Sequence, residues 1–381
     1  MNSSFNSFLI GIATLMFINS SLSAELIAKE KNEEHVKRSQ EFNPKYISYL
    51  TSWQLPVNAT ELLLKSKADA YMISFAKWDK QGVISSSDNV IRKPSKALSR
   101  IPRGYLTWTQ IAHQNPSAKM IVSFGGQDYE GIWDTMGDKD HSEKIAQNIA
   151  DLLTTDFPVY QERSSIECDG YDCKEKYQLV GHTQLSGVDF DFEQAARLTL
   201  EKNQQLDFLA RRVRELVGNS KSIVLTTYHV GADPVNCGNS EIIENCSFRE
   251  EGRSTHHGEV LSLLESSKGI FDFYNVMTYD AGRNYDYQTS INNYFNAIGV
   301  QADLRLGMSI NRQWGQFGGF VMPLIENQSR AKWQAEQGYG GFFVWALGAN
   351  TENHSLESQI QIFNSLVDAA RFGEQGVKAS R

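Results

Sequence analysis

Leu185-Ser186-Gly187-Val188-Asp189-Phe190-Asp191-Phe192-Glu193 alternates acidic and aromatic residues through its second half. In an extended strand successive side chains point to opposite faces. Asp189, Asp191 and Glu193 therefore share one face above Gly187, and Val188, Phe190 and Phe192 share the other. Steps of two residues bring neighbouring acids to roughly 6–7 Å at their Cα atoms. Three carboxylates that close do not all ionise freely, so at least one pKa must rise, and a raised carboxylic acid at a strand end is what a general acid requires. An exposed edge strand with a solvated acidic face is the bland alternative. Phe-Asp-Phe is a poor surface pattern, and the apolar face needs helices packed over it.

Working outward, apolar strand-like runs recur, with helical patterns between them. The strands are Lys45–Tyr49, Ala70–Phe75, Lys119–Phe124, Leu185–Asp191, Ser222–Tyr228, Phe271–Thr278, Leu304–Ser309 and Gly341–Trp345. Helical periodicity falls at Ser142–Leu153, Leu206–Val217, Gly258–Ser266, Ser290–Ala297, Ser329–Gln337 and Leu356–Phe372. Eight strands alternating with helices predict an α/β chain folded as a single (β/α)8 TIM barrel. A doubly wound open sheet fits less well, because no glycine-rich dinucleotide fingerprint follows the first strand.

Barrel chemistry sits at the C-terminal strand ends. There the chain places Trp53 and Trp78 after the first two strands, Ser123-Phe124-Gly125-Gly126 on the third, Met277-Thr278-Tyr279-Asp280 on the sixth and Trp345 on the eighth. Each alone reads as core. Converging on one rim with the acids, they read as a site. His229, at the end of the fifth strand, is read as structural.

The chain has 381 residues, 41% hydrophobic and 22% charged, an ordinary globular composition. A formal charge of −8 argues against a polyanionic partner, so no nucleic acid is expected. Aromatics reach 11%, an excess that suits a sugar-binding cleft. Phe8–Ile18 is apolar but short for a membrane span, and small residues follow at Ser23-Ala24. Residues 1–24 therefore read as a signal peptide lacking the usual basic n-region, with a membrane anchor as the alternative. A charged leader over 25–43, a catalytic barrel over 44–372 and a polar tail over 373–381 complete the expected layout. Cys168–Cys173 and Cys237–Cys246 are expected to pair as local disulfides in an extracellular or periplasmic protein. Zinc is disfavoured, because neither pair is CxxC and no histidine has companion spacing. No metal or cofactor is expected.

These motifs together resemble glycoside hydrolase family 18, the chitinases and their relatives. Gly187–Glu193 resembles the D-G-x-D-x-D-x-E signature, Ser123–Gly126 the S-x-G-G element, Tyr274–Asp280 the element ending M-x-Y-D, and Gly341–Trp345 the strand-eight element. They occur in family order over about residues 45–348. One position departs: Ser186 stands where the signature has its leading Asp, which bears on support of the strand and tuning of Asp189. The resemblance implies Glu193 as general acid and base in a retaining mechanism, with the substrate's 2-acetamido carbonyl as nucleophile. It implies that Asp191 polarises the acetamido N–H while sharing a proton with Asp189 or Glu193, and that Tyr279 donates to the acetamido carbonyl. Trp345, Met277, Asp280, Phe75, Ser123, Gly125, Gly126 and Arg312 are its expected substrate-binding residues.

The expected substrate is therefore chitin or another β-1,4-linked N-acetylglucosamine oligosaccharide, cleaved by a secreted monomer that leaves the membrane once the signal is removed. About 30 residues separate strands seven and eight, room for a helix and loops but not a large α+β insertion, which predicts an open groove and internal cleavage. Two readings compete: an endo-β-N-acetylglucosaminidase acting on N-glycan cores, and a non-hydrolytic lectin-like barrel, which usually lacks the terminal Glu retained here as Glu193.

Overall fold

A computed structural model of the protein describes residues 43–94, 100–163, 168–169, 172–173, 176–238, 244–248, 255–281, 284–310, 322–348 and 355–379. All lie in the compact unit Asn43–Arg381. The signal and leader segments and Arg312 fall outside the described residues.

Eight parallel strands form the core: β1 (Tyr46–Thr51), β2 (Ala70–Trp78), β3 (Lys119–Gly125), β4 (Gly187–Phe192), β5 (Ser222–Tyr228), β6 (Phe273–Met277), β7 (Leu304–Ser309) and β8 (Phe342–Leu347). Each pairs with its neighbours in sequence, and β1 pairs with both β2 and β8, so the sheet closes into a barrel. Helices α1 (Ala59–Leu63), α2 (Arg103–Gln114), α3 (Lys139–Thr154), α4 (Leu200–Val217), α5 (Leu261–Ser266), α6 (Tyr287–Ile298), α7 (Leu324–Glu336) and α8 (Leu356–Ala379) follow the strands in turn. The expected (β/α)8 architecture is the one found.

Strand parity builds two cores. Val188, Phe190 and Phe192 of β4 join the larger one between strands and helices, where Leu206, Leu209, Ala210, Val213 and Val217 of α4 meet them at helical spacing. The opposite parity fills the lumen with Ile47, Tyr49, Ala70, Met72, Ile121, Val224, Phe273 and Phe343, and near the mouth with Phe75, Met277 and Trp345. At the opposite end buried Arg305 lies over the Phe273 ring and donates to the carbonyls of Pro44 and Ala302.

Three features differ from the sequence reading. An antiparallel ribbon, Phe157–Glu162 against Tyr177–Thr183, stands between α3 and β4. It carries Pro158, and Gln178, Leu179 and Val180 are exposed in succession on its second strand, so it lacks a clean alternation. The Tyr105 hydroxyl and the Gln110 amide bind carbonyls of its first strand. Helices α1 and α2 occupy stretches where no helix boundary was drawn. Helix α8 runs on to Ala379, past Phe372 and through most of the stretch read as a tail.

Cys237 and Cys246 form the expected disulfide, with Cα atoms 5.6 Å apart. Cys168 and Cys173 face each other in a short antiparallel backbone pairing, and their side chains lie outside the described residues. Among the described residues no helix is long and apolar enough to cross a membrane.

Gly187 begins β4 where the strand presses on β5: a Cβ there would overlap the Ser222 carbonyl oxygen and lie 2.8 Å from its Cβ. Gly187→Ala is expected to cost about 1–3 kcal/mol through overpacking. Gly131→Ala, whose Cβ meets nothing within 4 Å, should stay within about 0.5 kcal/mol of wild type. Urea unfolding midpoints of the two variants test the difference, and equal midpoints would contradict it.

Candidate active site

The acids of β4 rise one above another along the barrel axis toward its mouth. Asp189, fully buried, is held by hydroxyls from three other strands. Tyr49 donates to Oδ2 at 2.9 Å, Ser123 to Oδ2 at 2.7 Å and Thr226 to Oδ1 at 2.8 Å. The amide of Asn275 donates to Thr226 at 3.0 Å and extends the network to β6. Burial pushes Asp189 up to about 6, and the three hydroxyl donors hold it from rising further.

Asp191 sits one storey higher, at 4% exposure. Its Oδ1 is buried with no hydrogen-bond partner among the described residues. Burial first, then the charges of Glu193 and Asp189, drives its pKa well above the usual carboxylate range. An acid in that environment is neutral at pH 7. Its carbonyl accepts the N–H groups of Gly126 and Glu193, which fixes the backbone where β4 ends.

Glu193 is the first residue beyond β4, half-buried at the mouth. Burial lifts it to about 7; Glu130, Asp280 and Asp128 push the same way, and the Gln127 backbone N–H opposes them. The loop that follows is pinned: the Ala195 N–H binds Glu130, and the Gln194 amide binds Asp134 at 3.0 Å. Burial keeps the Tyr279 hydroxyl protonated, and Asp191, Glu193 and Asp280 add to the effect. A phenol donor and two protonatable acids thus face one space.

The floor of that space is aromatic. Trp345 stacks on Phe75, with centroids 5.5 Å apart and planes at 16°, and meets the edge of Tyr49 at 5.5 Å. Met277 packs in the same cluster, and Trp53, Tyr129, Tyr228 and Tyr279 close around it. Gly125 and Gly126 keep the wall thin. Their φ values are +99° and +69°, and a Cβ would come within 2.6 Å of the Asp191 carbonyl oxygen at Gly125 and 2.7 Å of the Phe75 ring at Gly126.

Residues 45–316 match the model of glycosyl hydrolases family 18. The chain belongs to that family. Solved chitinase and N-acetylglucosaminidase structures share its fold at low sequence identity. The catalytic domain of a psychrophilic chitinase B from Arthrobacter TAD20 matches with a TM-score of 0.58 at 10% identity, over 88% of this chain and 96% of that one. A GH18 chitinase from Pseudoalteromonas aurantia gives 0.56 at 15% identity, over 84% and 99%. A GH18 N-acetylglucosaminidase from Paenibacillus barengoltzii gives 0.52 at 13% identity, over 84% and 100%. No curated protein sequence matches the chain.

Within this family 18 barrel the four quoted motifs meet at one mouth. Several expected residues have a different place from the one read. Ser123 is buried below the mouth with its hydroxyl on Asp189, and Gly125 and Gly126 face neighbouring protein. Phase errors account for Trp78, which points outward to Phe124 and Trp133 rather than to the rim. Asp280 is exposed at the rim with φ +57°. His229 is buried, edge-on to Tyr285 at 4.9 Å, and burial depresses it to about 3. Ser186 sits at the base of β4 and accepts the Met120 N–H through its hydroxyl at 3.2 Å, so a neutral acceptor supports the strand.

Tyr49, Thr226 and Tyr228 went unread because they lie in apolar or ordinary strand runs. Period-two counting from Thr226 would have put Tyr228 on the lumen face. Asp233, Cys237 and His257 bring ligand-type atoms within 4.8 Å of one another. The Cys237 sulfur is committed to its disulfide, and Asp233 already accepts from Ser247, Asn293 and His257, which does not suit a metal ion.

The raised acids set a pH dependence of stability. The folded chain holds a proton on Glu193 between its ordinary value of 4.5 and about 7, where the unfolded chain has released it. Stability from this group is complete below the lower value and falls as pH rises through the upper one. Glu193→Gln should therefore match wild type near pH 4 and exceed it near pH 8 by on the order of 1–3 kcal/mol. Denaturant unfolding across that range is the check; parallel stability curves would contradict it.

Proposed function

We propose that this family 18 chain is a secreted chitinase that cleaves β-1,4-linked N-acetylglucosamine chains with retention, using the substrate's own acetamido group. The observation that carries the reading is the buried Asp191 Oδ1, left without a partner between two raised acids and beside the Tyr279 phenol. A buried polar atom that lacks a partner costs about 1–3 kcal/mol. A ligand offering an N–H to Asp191 and a carbonyl to Tyr279 removes that cost, and an acetamido group offers both.

In this reading a sugar rests on Trp345 with its acetamido group turned down toward Asp191 and Tyr279. Glu193 gives its proton to the glycosidic oxygen as the bond from that oxygen to C1 breaks. The acetamido carbonyl oxygen closes on C1, and Asp191 holds the N–H of the resulting oxazolinium ion. Glu193, now a carboxylate, takes a proton from water as that water's oxygen attacks C1 and the ring opens. Asp189 stays below, where its hydroxyl donors and Asp191 share the proton balance. The pKa near 7 suits a group that is acid in one step and base in the next.

The Cys237–Cys246 disulfide supports an oxidising compartment and hence secretion. Between β7 and β8 the described residues hold a single helix, α7, which supports an open groove and internal cleavage.

Turnover of N-acetylglucosamine oligomers beside glucose oligomers tests the substrate. Only the former should be cleaved, with the product released first as the β-anomer, and Glu193→Gln should lose roughly 10²–10⁴ in kcat. Equal cleavage of glucose oligomers, or an undiminished Glu193→Gln, would sink the proposal. The rate should also fall above pH about 7 as Glu193 loses its proton in the free protein. A kcat/KM profile still flat at pH 9 would contradict that role.

A further inference from the structure

The fifth strand contributes a residue to the mouth that the mechanism above does not use. Thr226 pairs in register with Asp191, and Thr227 with Phe192, so Tyr228 lies level with Glu193; on its other side Tyr228 pairs with Met277. Thr226 faces the lumen, where its hydroxyl binds Asp189, and period two turns Tyr228 the same way one storey higher. Its ring packs against the lumen cluster that contains Trp345 and Met277. Half-buried, its hydroxyl has no hydrogen-bond partner among the described residues.

This ring is braced. It stacks on His256, with centroids 4.8 Å apart and planes at 12°. His256 Nδ1 lies 2.8 Å from Glu259 Oε2, and that buried carboxylate also accepts the Leu198 N–H at 2.9 Å, tying the brace to the segment after Glu193. The Tyr294 hydroxyl donates to the Tyr228 carbonyl. A flat ring stacked on His256, packed against the lumen cluster and anchored through its own backbone carbonyl, with its hydroxyl still open, is built to meet a ligand rather than to fill a core.

In an eight-strand closed barrel β4 stands across from β8. A sugar resting on Trp345 would present its scissile bond to Glu193 across the mouth, and Tyr228, level with Glu193 on the neighbouring strand, stands at the rim beside that bond. We propose that Tyr228 is a specificity-determining residue that binds the leaving-group sugar through its ring and hydroxyl, with His256 as its positioning residue. The assignment rests on the glycosidase reading given above.

Two substrates separate leaving-group binding from the chemistry: an N-acetylglucosamine pentamer, which departs as a sugar, and an aryl N,N′-diacetylchitobioside, which departs as a phenol. Tyr228→Ala should raise KM for the pentamer about tenfold, the size expected for one lost stacking contact, and leave aryl glycoside kcat/KM within about threefold. Tyr228→Phe, which keeps the ring, should fall between. His256→Ala should raise the pentamer KM, and His256→Phe, which restores a ring against Tyr228, should recover most of the loss. Equal losses on both substrates would overturn the assignment by placing Tyr228 in the reaction centre or the fold. Unchanged pentamer kinetics would overturn it too. Failure of the wild type to cleave either substrate would instead remove the glycosidase reading, and this assignment with it.

Discussion

Three acids stand on one face of one strand, inside a closed barrel, and only the lowest is given hydrogen bonds sufficient for its charge. That constraint organises the site. Asp189 receives three hydroxyls drawn from β1, β3 and β5, so its burial is offset by donors. Asp191 stands above it with one oxygen unpartnered, and Glu193 stands at the opening under the influence of three further carboxylates. Burial and the neighbouring carboxylates therefore keep a proton on Asp191 at neutral pH and leave Glu193 close to half-protonated there. The chain keeps a costly arrangement in its interior, as expected where stability yields to chemistry.

The surrounding structure can be understood as support for that arrangement. Gly187 lets β4 press against β5, Gly125 and Gly126 let β3 close beside the Asp191 carbonyl, and Trp133 and Phe75 fill the space those glycines leave. The β5–α5 connection is tied with equal care. Asp233 gathers Ser247, Asn293 and His257, the Cys237–Cys246 disulfide closes a local loop beside it, and Arg197 holds the carbonyls of Thr255 and His257. These contacts fix the segment from which His256 reaches Tyr228.

Much of this was legible in the sequence because it is local. Alternation over Gly187–Glu193 placed three acids on one face and three apolar residues on the other, and both faces hold in the fold. Strand count and helical spacing were enough for the barrel. What was not legible depends on contacts across long separations. Tyr49 reaches Asp189 over 140 positions, and nothing in the run Tyr46–Thr51 distinguishes a tyrosine that binds an acid from one that packs. Ser123 looked like a cleft residue because its motif lies near the mouth, but it is two residues too deep. Trp78 failed because alternation from the lumen-facing Ala70 and Met72 would turn it inward, whereas an irregularity between Ile73 and Ala76 switches the parity and sends Ala76 and Trp78 to the outer core. The ribbon before β4 failed because polar and apolar residues alike are exposed along Gln178-Leu179-Val180, so it carries no period-two signal. Ser186 shows the converse: the departure from the family signature is accommodated locally, by one hydroxyl accepting one backbone N–H.

The protonation state of Asp191 in the free protein is the most direct test of the account. Carbon-13 resonances of labelled aspartate carboxyls, followed from pH 3 to 9 and assigned by difference against Asp191→Asn, report it without any substrate. The account predicts that Asp191 stays protonated through neutral pH while surface aspartates ionise near 4. An Asp191 carboxyl that titrates with them, ionised at pH 6 beside an ionised Asp189, would contradict it.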